Sequence, residues 1–261
     1  MKRLTDEQKL SYRENGYLIG LPPVFTEEEV ANLNLELKEL EKLLIPGEQM
    51  LHIRDWHMKC KWLYDICTHP QILSYVEDIL GPDFFMWGTQ FFAKAPHSKD
   101  TVAWHQDAYY WPEHLHNAVT VWLAFSAVDE DNGAMRVIPG SHNKGIIKHR
   151  KIEGDSVLTL ELEHGTFNEN EAKSLILESG SVSLHDDHIV HGSPANVSDR
   201  WRIGLTIRYS GPAQVSATDY EAFTMRGNPL VREAPVPSEK YARLPVDYHK
   251  GDEVVRPKLN S

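Results

Sequence analysis

Apolar and polar positions change rhythm once along this chain. Up to about residue 82, apolar residues recur three and four apart. Thr5 and Gln8 stand at capping-box spacing, and Gly16 is placed to stop the helix that begins there. Thr26-Glu27-Glu28-Glu29 opens a longer helix, in which Val30, Leu33, Leu37, Leu40 and Leu44 form one apolar face that Pro46-Gly47 ends. Pro70 suits a first helical position. Ile72, Leu73, Val76, Ile79 and Leu80 form the buried side of that third helix, closed by Gly81-Pro82. From residue 84 the period shortens. Runs rich in Val, Ile, Phe, Trp and Thr occupy 84–95, 101–106, 118–127, 134–138, 157–162, 174–177, 181–185 and 203–210. Turn clusters such as Asp131-Asn132-Gly133, Pro139-Gly140-Ser141 and Gly192-Ser193-Pro194 punctuate them. Short strands at this spacing predict a sandwich, jelly roll or barrel. The pattern reads as one mainly β domain: N-terminal helices over about 1–82, a β core over about 83–210, and an irregular Pro-rich tail over 211–261.

Composition narrows the function classes. With 41% hydrophobic and 25% charged residues in 261, a core can be buried and wholesale disorder is excluded. Lys and Arg total 27 against 38 Asp and Glu, a formal charge of -11. Such a surface repels phosphate backbones, so no nucleic-acid partner is expected, although a local basic pocket for a small anion is compatible. The 2 cysteines exclude a disulfide scaffold and a four-cysteine zinc site, and fit a reducing compartment. No apolar stretch resembles a secretory signal or a membrane span, so a soluble cytoplasmic protein is expected.

The chemistry concentrates in two stretches, Trp104-His105-Gln106-Asp107 and His185-Asp186-Asp187-His188-Ile189-Val190-His191-Gly192-Ser193. On a strand, residues two apart point to one face, so His105 and Asp107 converge. They supply two thirds of a 2-His-1-carboxylate set, which holds Fe(II) and leaves positions open. Alone, so short a pattern reads more readily as a surface pair at a strand end. If His185 and Asp187 were the pair, the remaining ligand would be His188, His191 or His249. If His105 and Asp107 are the pair, His185, His188 or His191 can close the set from another strand. The second arrangement needs fewer coincidences. His191 is favoured because Gly192 behind it lets backbone approach a ligand, leaving His185 and His188 as supporting or surface residues. Further on, Arg202, Gly204, Thr206 and Arg208 share one face of a strand, and Ile203, Leu205 and Ile207 share the other. An arginine flanked by glycine and threonine looks into a polar cavity or onto an exposed sheet face, and its fork matches a carboxylate.

These stretches, with Asn132-Gly133-Ala134-Met135-Arg136-Val137-Ile138-Pro139-Gly140-Ser141-His142 and the run from His191 to Arg202, resemble the phytanoyl-CoA dioxygenase family from about residue 10 to about residue 210. The chain is most similar to its short bacterial members. The resemblance implies a double-stranded β-helix and an Fe(II)- and 2-oxoglutarate-dependent oxygenase that consumes O₂. It implies metal ligands at His105, Asp107 and His191. It places the far carboxylate of 2-oxoglutarate on Arg202, with Arg200 as rival, and on Ser193, with Trp122 nearby. Asn132 to His142 is taken as a structural turn and strand. Related halogenases carry a small residue in place of the carboxylate, so Asp107 implies hydroxylation.

The expected reaction is hydroxylation of an unactivated C–H in a small polar molecule, with release of succinate and CO₂. The leading candidate is a short zwitterion such as 2-aminoethylphosphonate. Gln90, Phe92 and Lys94 alternate onto one strand face and are expected to line the cavity, Gln90 near the co-substrate. Tyr110 and Arg208 are the substrate-side candidates. His52, Arg54, Lys59 and Lys61 form a polar stretch that could cover the site, although solvated charge accounts for it more simply. Two other readings are a cupin-type metal dioxygenase without 2-oxoglutarate and a non-catalytic metal- or ligand-binding β-sandwich.

Overall fold

A computed structural model describes residues 2–112, 115–153, 156–212, 217–246 and 248. Its helices are α1 (Asp6–Asn15), α2 (Glu27–Glu41), α3 (Lys61–Cys67) and α4 (Pro70–Leu80). Its strands are β1 (Tyr17–Leu18), β2 (Phe84–Lys94), β3 (Val102–His105), β4 (Ala118–Ala124), β5 (Arg136–Val137), β6 (His149–Lys151), β7 (Leu160–Leu162), β8 (Lys173–Ser174), β9 (Val182–Asp186), β10 (His191–Ser193), β11 (Arg202–Ser210), β12 (Ala217–Arg226) and β13 (Val231–Glu233).

Both expected capping boxes form. The Thr5 and Thr26 side chains accept from Gln8 and Glu29 backbone N–H, and the Gln8 and Glu29 side chains bond back to the cap N–H. Each such cap contributes about 1 kcal/mol. Gly16 ends α1 in the left-handed region at φ 78°. α2 stops at Glu41, before the expected Pro46-Gly47, because the chain tightens there into i→i+3 bonds, Leu43 N to Leu40 O and Leu44 N to Glu41 O. Leu33, Leu37 and Leu40 still bury their face as the spacing predicts.

A seven-stranded sheet, ordered β1-β9-β4-β11-β2-β12-β13, faces a four-stranded sheet ordered β3-β10-β5-β8. This is the jelly-roll, or double-stranded β-helix, architecture expected. Alternation sorts the large sheet. Val119, Val121, Leu123, Leu205, Ile207 and Tyr209 face outward and join Leu37, Leu40, Leu63, Ile72 and Val76 of the helices in one apolar cluster. Burying each such side chain contributes roughly 1.5–3 kcal/mol before chain entropy is subtracted. The intervening residues face the small sheet and build the site.

The expectation of an irregular tail is corrected in part. Residues 217–226 form β12, which pairs antiparallel with β2, Phe223 opposite Met86, and β13 extends the edge. Phe223 is fully buried and joins the helix-facing cluster, so this strand belongs to the core. His249 lies outside the described residues. Among the described residues, no helix is long and apolar enough to cross a membrane.

Candidate metal centre and cofactor pocket

β3 and β10 run antiparallel with His105 directly opposite His191. The chain leaves β3 into a single 3-10 turn, Asp107–Tyr109, pinned by Ala108 N–H donating to the Asp187 carbonyl at 2.8 Å. That turn swings Asp107 back beneath both histidines. One ligand atom from each of His105, Asp107 and His191 lies within 4.8 Å of the others. Asp107 Oδ1 is 3.5 Å from His105 Nε2 and 4.0 Å from His191 Nε2.

The donor set suits a metal. His105 Nδ1 lies 2.8 Å from the Ala103 carbonyl, and His191 Nδ1 lies 3.0 Å from the Ile189 carbonyl. A carbonyl only accepts, so each Nδ1 carries the proton and each Nε2 presents a bare lone pair to the centre. The second carboxylate oxygen, Oδ2, faces away from them, 3.4 Å from the Thr120 hydroxyl and 3.8 Å from His185 Nε2. Burial pushes the Asp107 carboxyl upward, but His105, His185, His191 and Arg208 outweigh it and hold it well below the usual range. Burial, reinforced by His105, holds His191 well below its ordinary value. The set is therefore two imidazoles, each with Nδ1 engaged by a carbonyl, and one carboxylate, with room on the open side, as a non-haem Fe(II) site requires.

Of the rival histidines, His185 is buried in this cluster, its ring 5.0 Å from that of His191. His188 turns away and bonds Asp187 at 2.9 Å. Asp186, Asp187 and His188 form a separate cluster behind the turn.

A cavity joins the three residues to Phe92, Trp122, Ser193, Arg202, Thr206 and Arg208. Arg202 is buried, donates from Nη2 to Ser193 Oγ at 3.3 Å, and lies 5.4 Å from the Trp122 ring. Burial pulls its guanidinium down to about 10, so it stays charged. Arg200 points outward to Asp129 at 2.6 Å, half exposed, and takes no part in the cavity. Arg208 packs against Trp111 and Trp87, 5.3 and 5.8 Å from their rings. A larger cleft, open to solvent, shares Phe92, Val102 and Arg202 with this cavity and is walled by Lys94 and His52.

Two expected cavity residues stand elsewhere. Gln90 is buried but spends its amide on the Leu51 carbonyl at 3.2 Å, away from the cavity wall. Tyr110 packs its ring 5.8 Å from His105, while its hydroxyl donates to the Leu160 carbonyl at 2.8 Å, making it a wall rather than a free donor. In the polar stretch, Arg54 bonds its neighbour Asp55 and Lys61 bonds Asp65. Asn132 is structural as expected, its side chain bonding Asp129 N and the Ala127 carbonyl at 2.9 and 2.8 Å.

Sequence reading missed the role of Gln106. It sits between two ligands and so points to the opposite side. There it donates to the His188 carbonyl at 2.6 Å and the Gly145 carbonyl at 2.9 Å, and accepts from Ile147 N–H at 2.7 Å. It thus ties the first ligand pair to the segment entering His191. His149 was missed as well: it accepts from Gln106 N–H at 3.1 Å and stacks on Tyr109 at 3.9 Å. Burial lowers it to about 4.

The family model for phytanoyl-CoA dioxygenase (PhyH) matches residues 12–204. Human peroxisomal phytanoyl-CoA dioxygenase is 28% identical over 235 residues, 79% of this chain and 68% of that protein. A probable alpha-ketoglutarate-dependent hypophosphite dioxygenase of Stutzerimonas stutzeri is 26% identical over 229 residues, 78% of each chain. The solved structure of the non-heme monooxygenase ThoJ in its apo form superposes with a TM-score of 0.74 at 26% identity, covering 89% of both chains.

Proposed function

The chain belongs to the phytanoyl-CoA dioxygenase family and is a 2-oxoglutarate-dependent dioxygenase that works with Fe(II); from that premise we propose that His105, Asp107 and His191 hold the iron, and that Arg202 and Ser193 take the far carboxylate of 2-oxoglutarate beside Trp122. Family membership sets aside the two readings that lacked 2-oxoglutarate. The reaction converts R–H, O₂ and 2-oxoglutarate into R–OH, succinate and CO₂. Bound Fe(II) and 2-oxoglutarate supply the oxygen activation and the oxidative decarboxylation. The protein's part is placement. Thr120 donates to the second oxygen of Asp107, with His185 alongside at 3.8 Å, so the first is aimed at the metal. Arg202 offers a fixed fork in a buried position, where a charge-assisted bond to carboxylate is strong. Tyr110 packs its ring beside His105 and so supports the first ligand.

The substrate in this reading is a small polar molecule meeting Arg208, with a short zwitterion such as 2-aminoethylphosphonate as the first choice. Its support is a buried cation on the same inner strand face as Arg202, and a relative named for hypophosphite, a small phosphorus oxyanion. A single domain, a cytoplasmic location and the absence of a nucleic-acid partner complete the reading. The acidic net charge favours the last of these.

The observation that carries it is the meeting of three ligand atoms with Arg202 and Ser193 in one cavity. The test incubates Fe(II)-reconstituted protein with 2-oxoglutarate and a panel of small amines, amino acids and phosphonates. Succinate and hydroxylated product should appear together for at least one of them, and Asp107→Ala should abolish both. Full coupled hydroxylation by that variant would overturn the ligand assignment. Turnover confined to apolar or acyl-thioester substrates would overturn the substrate class.

A further inference from the structure

We propose that Lys94 is a positioning residue of the co-substrate pocket, holding Ser193 so that the serine hydroxyl proton and the Arg202 guanidinium meet one carboxylate together. This rests on the assignment of Arg202 and Ser193 to 2-oxoglutarate given above. Lys94 and Arg202 stand directly opposite each other in the register of β2 and β11. They are 3% and 2% exposed. Like charges facing across a strand pair destabilise a sheet, and burial sharpens the cost. The pair is tolerated with Lys94 neutral in the free pocket, and with Lys94 charged once an anion joins Arg202.

Lys94 Nζ donates to Ser193 Oγ at 2.8 Å, to the Ser193 carbonyl at 3.3 Å, and to the Pro194 carbonyl. Once charged, Lys94 has three N–H groups, and these three oxygens take them all. Lys94 therefore has none left for a ligand and does not touch one. Its effect passes through Ser193. That hydroxyl accepts from Lys94 and from Arg202 Nη2, which fills both of its lone pairs. Its one proton is left to donate elsewhere. Arg202 Nε is also buried, with no hydrogen-bond partner among the described residues. A carboxylate would satisfy both donors. Asn196 braces the frame by donating to the Lys94 and Ala95 carbonyls at 3.2 and 2.9 Å, which locks the end of β2 to the chain beyond His191.

The charge balance adds an independent readout. Burial, with Arg202 adding to it, pulls Lys94 down to about 6, and Asp100 in the turn after β2 opposes the shift. Glu48 and His52 face it across the adjoining cleft. A carboxylate arriving on Arg202 and Ser193 brings the missing negative charge, so Lys94 takes up a proton as the co-substrate binds.

The experiment titrates 2-oxoglutarate calorimetrically into Mn(II)-loaded protein near pH 7.5, in buffers of different ionisation enthalpy. The wild type should take up protons as it binds. Lys94→Met should lose that uptake and bind about tenfold more weakly or worse, the equivalent of one lost charged hydrogen bond. Lys94→Arg, which cannot shed its proton, should recover part of the affinity without the uptake. Proton uptake in Lys94→Met equal to that of the wild type overturns the proposal. So does wild-type affinity in Lys94→Met. Arg202→Gln separates the two levels: if it binds 2-oxoglutarate normally, the pocket assignment itself fails. If it loses binding while Lys94→Met does not, only the role of Lys94 fails.

Discussion

Gly204→Ala tests the geometry of the co-substrate pocket with the smallest available perturbation. Gly204 lies on the inner face of β11 between Arg202 and Thr206, and the Trp122 indole crosses directly over it. A Cβ built there falls 1.9 Å from Trp122 Cζ2 and 2.3 Å from both Cε2 and Cη2. The backbone is ordinary strand, so the whole penalty is steric. To restore normal contact the ring must move by roughly 1.5 Å or more, yet it is 4% exposed and packs with Ala124, Val128, Ala134 and Leu177. Overpacking of this kind costs about 1–3 kcal/mol of stability. The ring also lies against Arg202. Losing a desolvated cation–π contact costs a further ~1–2 kcal/mol, or about a 5- to 30-fold loss in 2-oxoglutarate affinity. Urea unfolding of the metal-free protein reads the first quantity, and calorimetric titration of the Mn(II)-loaded protein reads the second. The double variant Gly204→Ala/Trp122→Leu removes the clash. It should be more stable than the sum of the single effects by about 1 kcal/mol or more, without regaining affinity. A single variant within about 0.5 kcal/mol of wild type, or a strictly additive cycle, would refute the placement of Trp122 over this glycine.

Gln106→Met should cost about 1–2 kcal/mol in urea unfolding, because it removes the side-chain partner of the part-buried His188 and Gly145 carbonyls and of the Ile147 N–H; a loss below about 0.5 kcal/mol would show that these groups find other partners. His57 is fully buried, and burial holds it at about 4 against 6.5, with Arg208 adding and Asp55 opposing. As pH falls below 6.5 the unfolded chain takes a proton that the folded chain refuses, so stability drops by up to ~1.4 kcal/mol per pH unit, about 3 kcal/mol in all by pH 4. His57→Phe should flatten that acid limb in denaturation curves recorded from pH 7 to pH 4, and an unchanged limb would count against a neutral buried imidazole. Arg200→Ala should leave 2-oxoglutarate affinity unchanged and cost under about 1 kcal/mol, since its ion pair with Asp129 is half exposed. Arg202→Gln should lower affinity by two orders of magnitude or more, and equal effects in the calorimeter would reverse the assignment between the two arginines.

Local signals carried the helices because the forces involved are local. Thr5, Gln8 and Gly16 act within one turn of chain, and so do Thr26 and Glu29, so their spacing alone announces the helix ends. The same holds for β11, where Arg202, Gly204, Thr206 and Arg208 alternate with outward apolar residues over nine positions. Strands of two or three residues have no such length over which a period can show. β10 is one of these, and it carries His191. Its hydrogen bonds to β3 and β5, not its composition, make it a strand. β12 escaped for a related reason. Its fully buried Phe223 follows Asp219 and Glu221, and pairing against β2 outweighs the weak local preference.

The site divides along the same line. His105 and Asp107 are two apart in sequence, so their convergence could be anticipated, although it is delivered by a 3-10 turn after β3 rather than by continuation of a flat strand. His185 against Asp107, and Lys94 against Arg202, are contacts between strands far apart in the chain, and both follow from register. Register in turn depends on a bulge. The β2–β11 pairing slips between Arg208 and Tyr209, so Phe84 and Met86 face the helices while further along it is Phe91 that does so. Beyond the bulge the even positions Phe92 and Lys94 turn inward. Without that one-residue slip Lys94 would point at the helices and Ser193 would lose the donor that fills its first lone pair. The ligands are legible because they are neighbours in sequence or marked by a glycine. The residues that orient them are set by a single irregularity in a long strand pair, which no period of two can disclose.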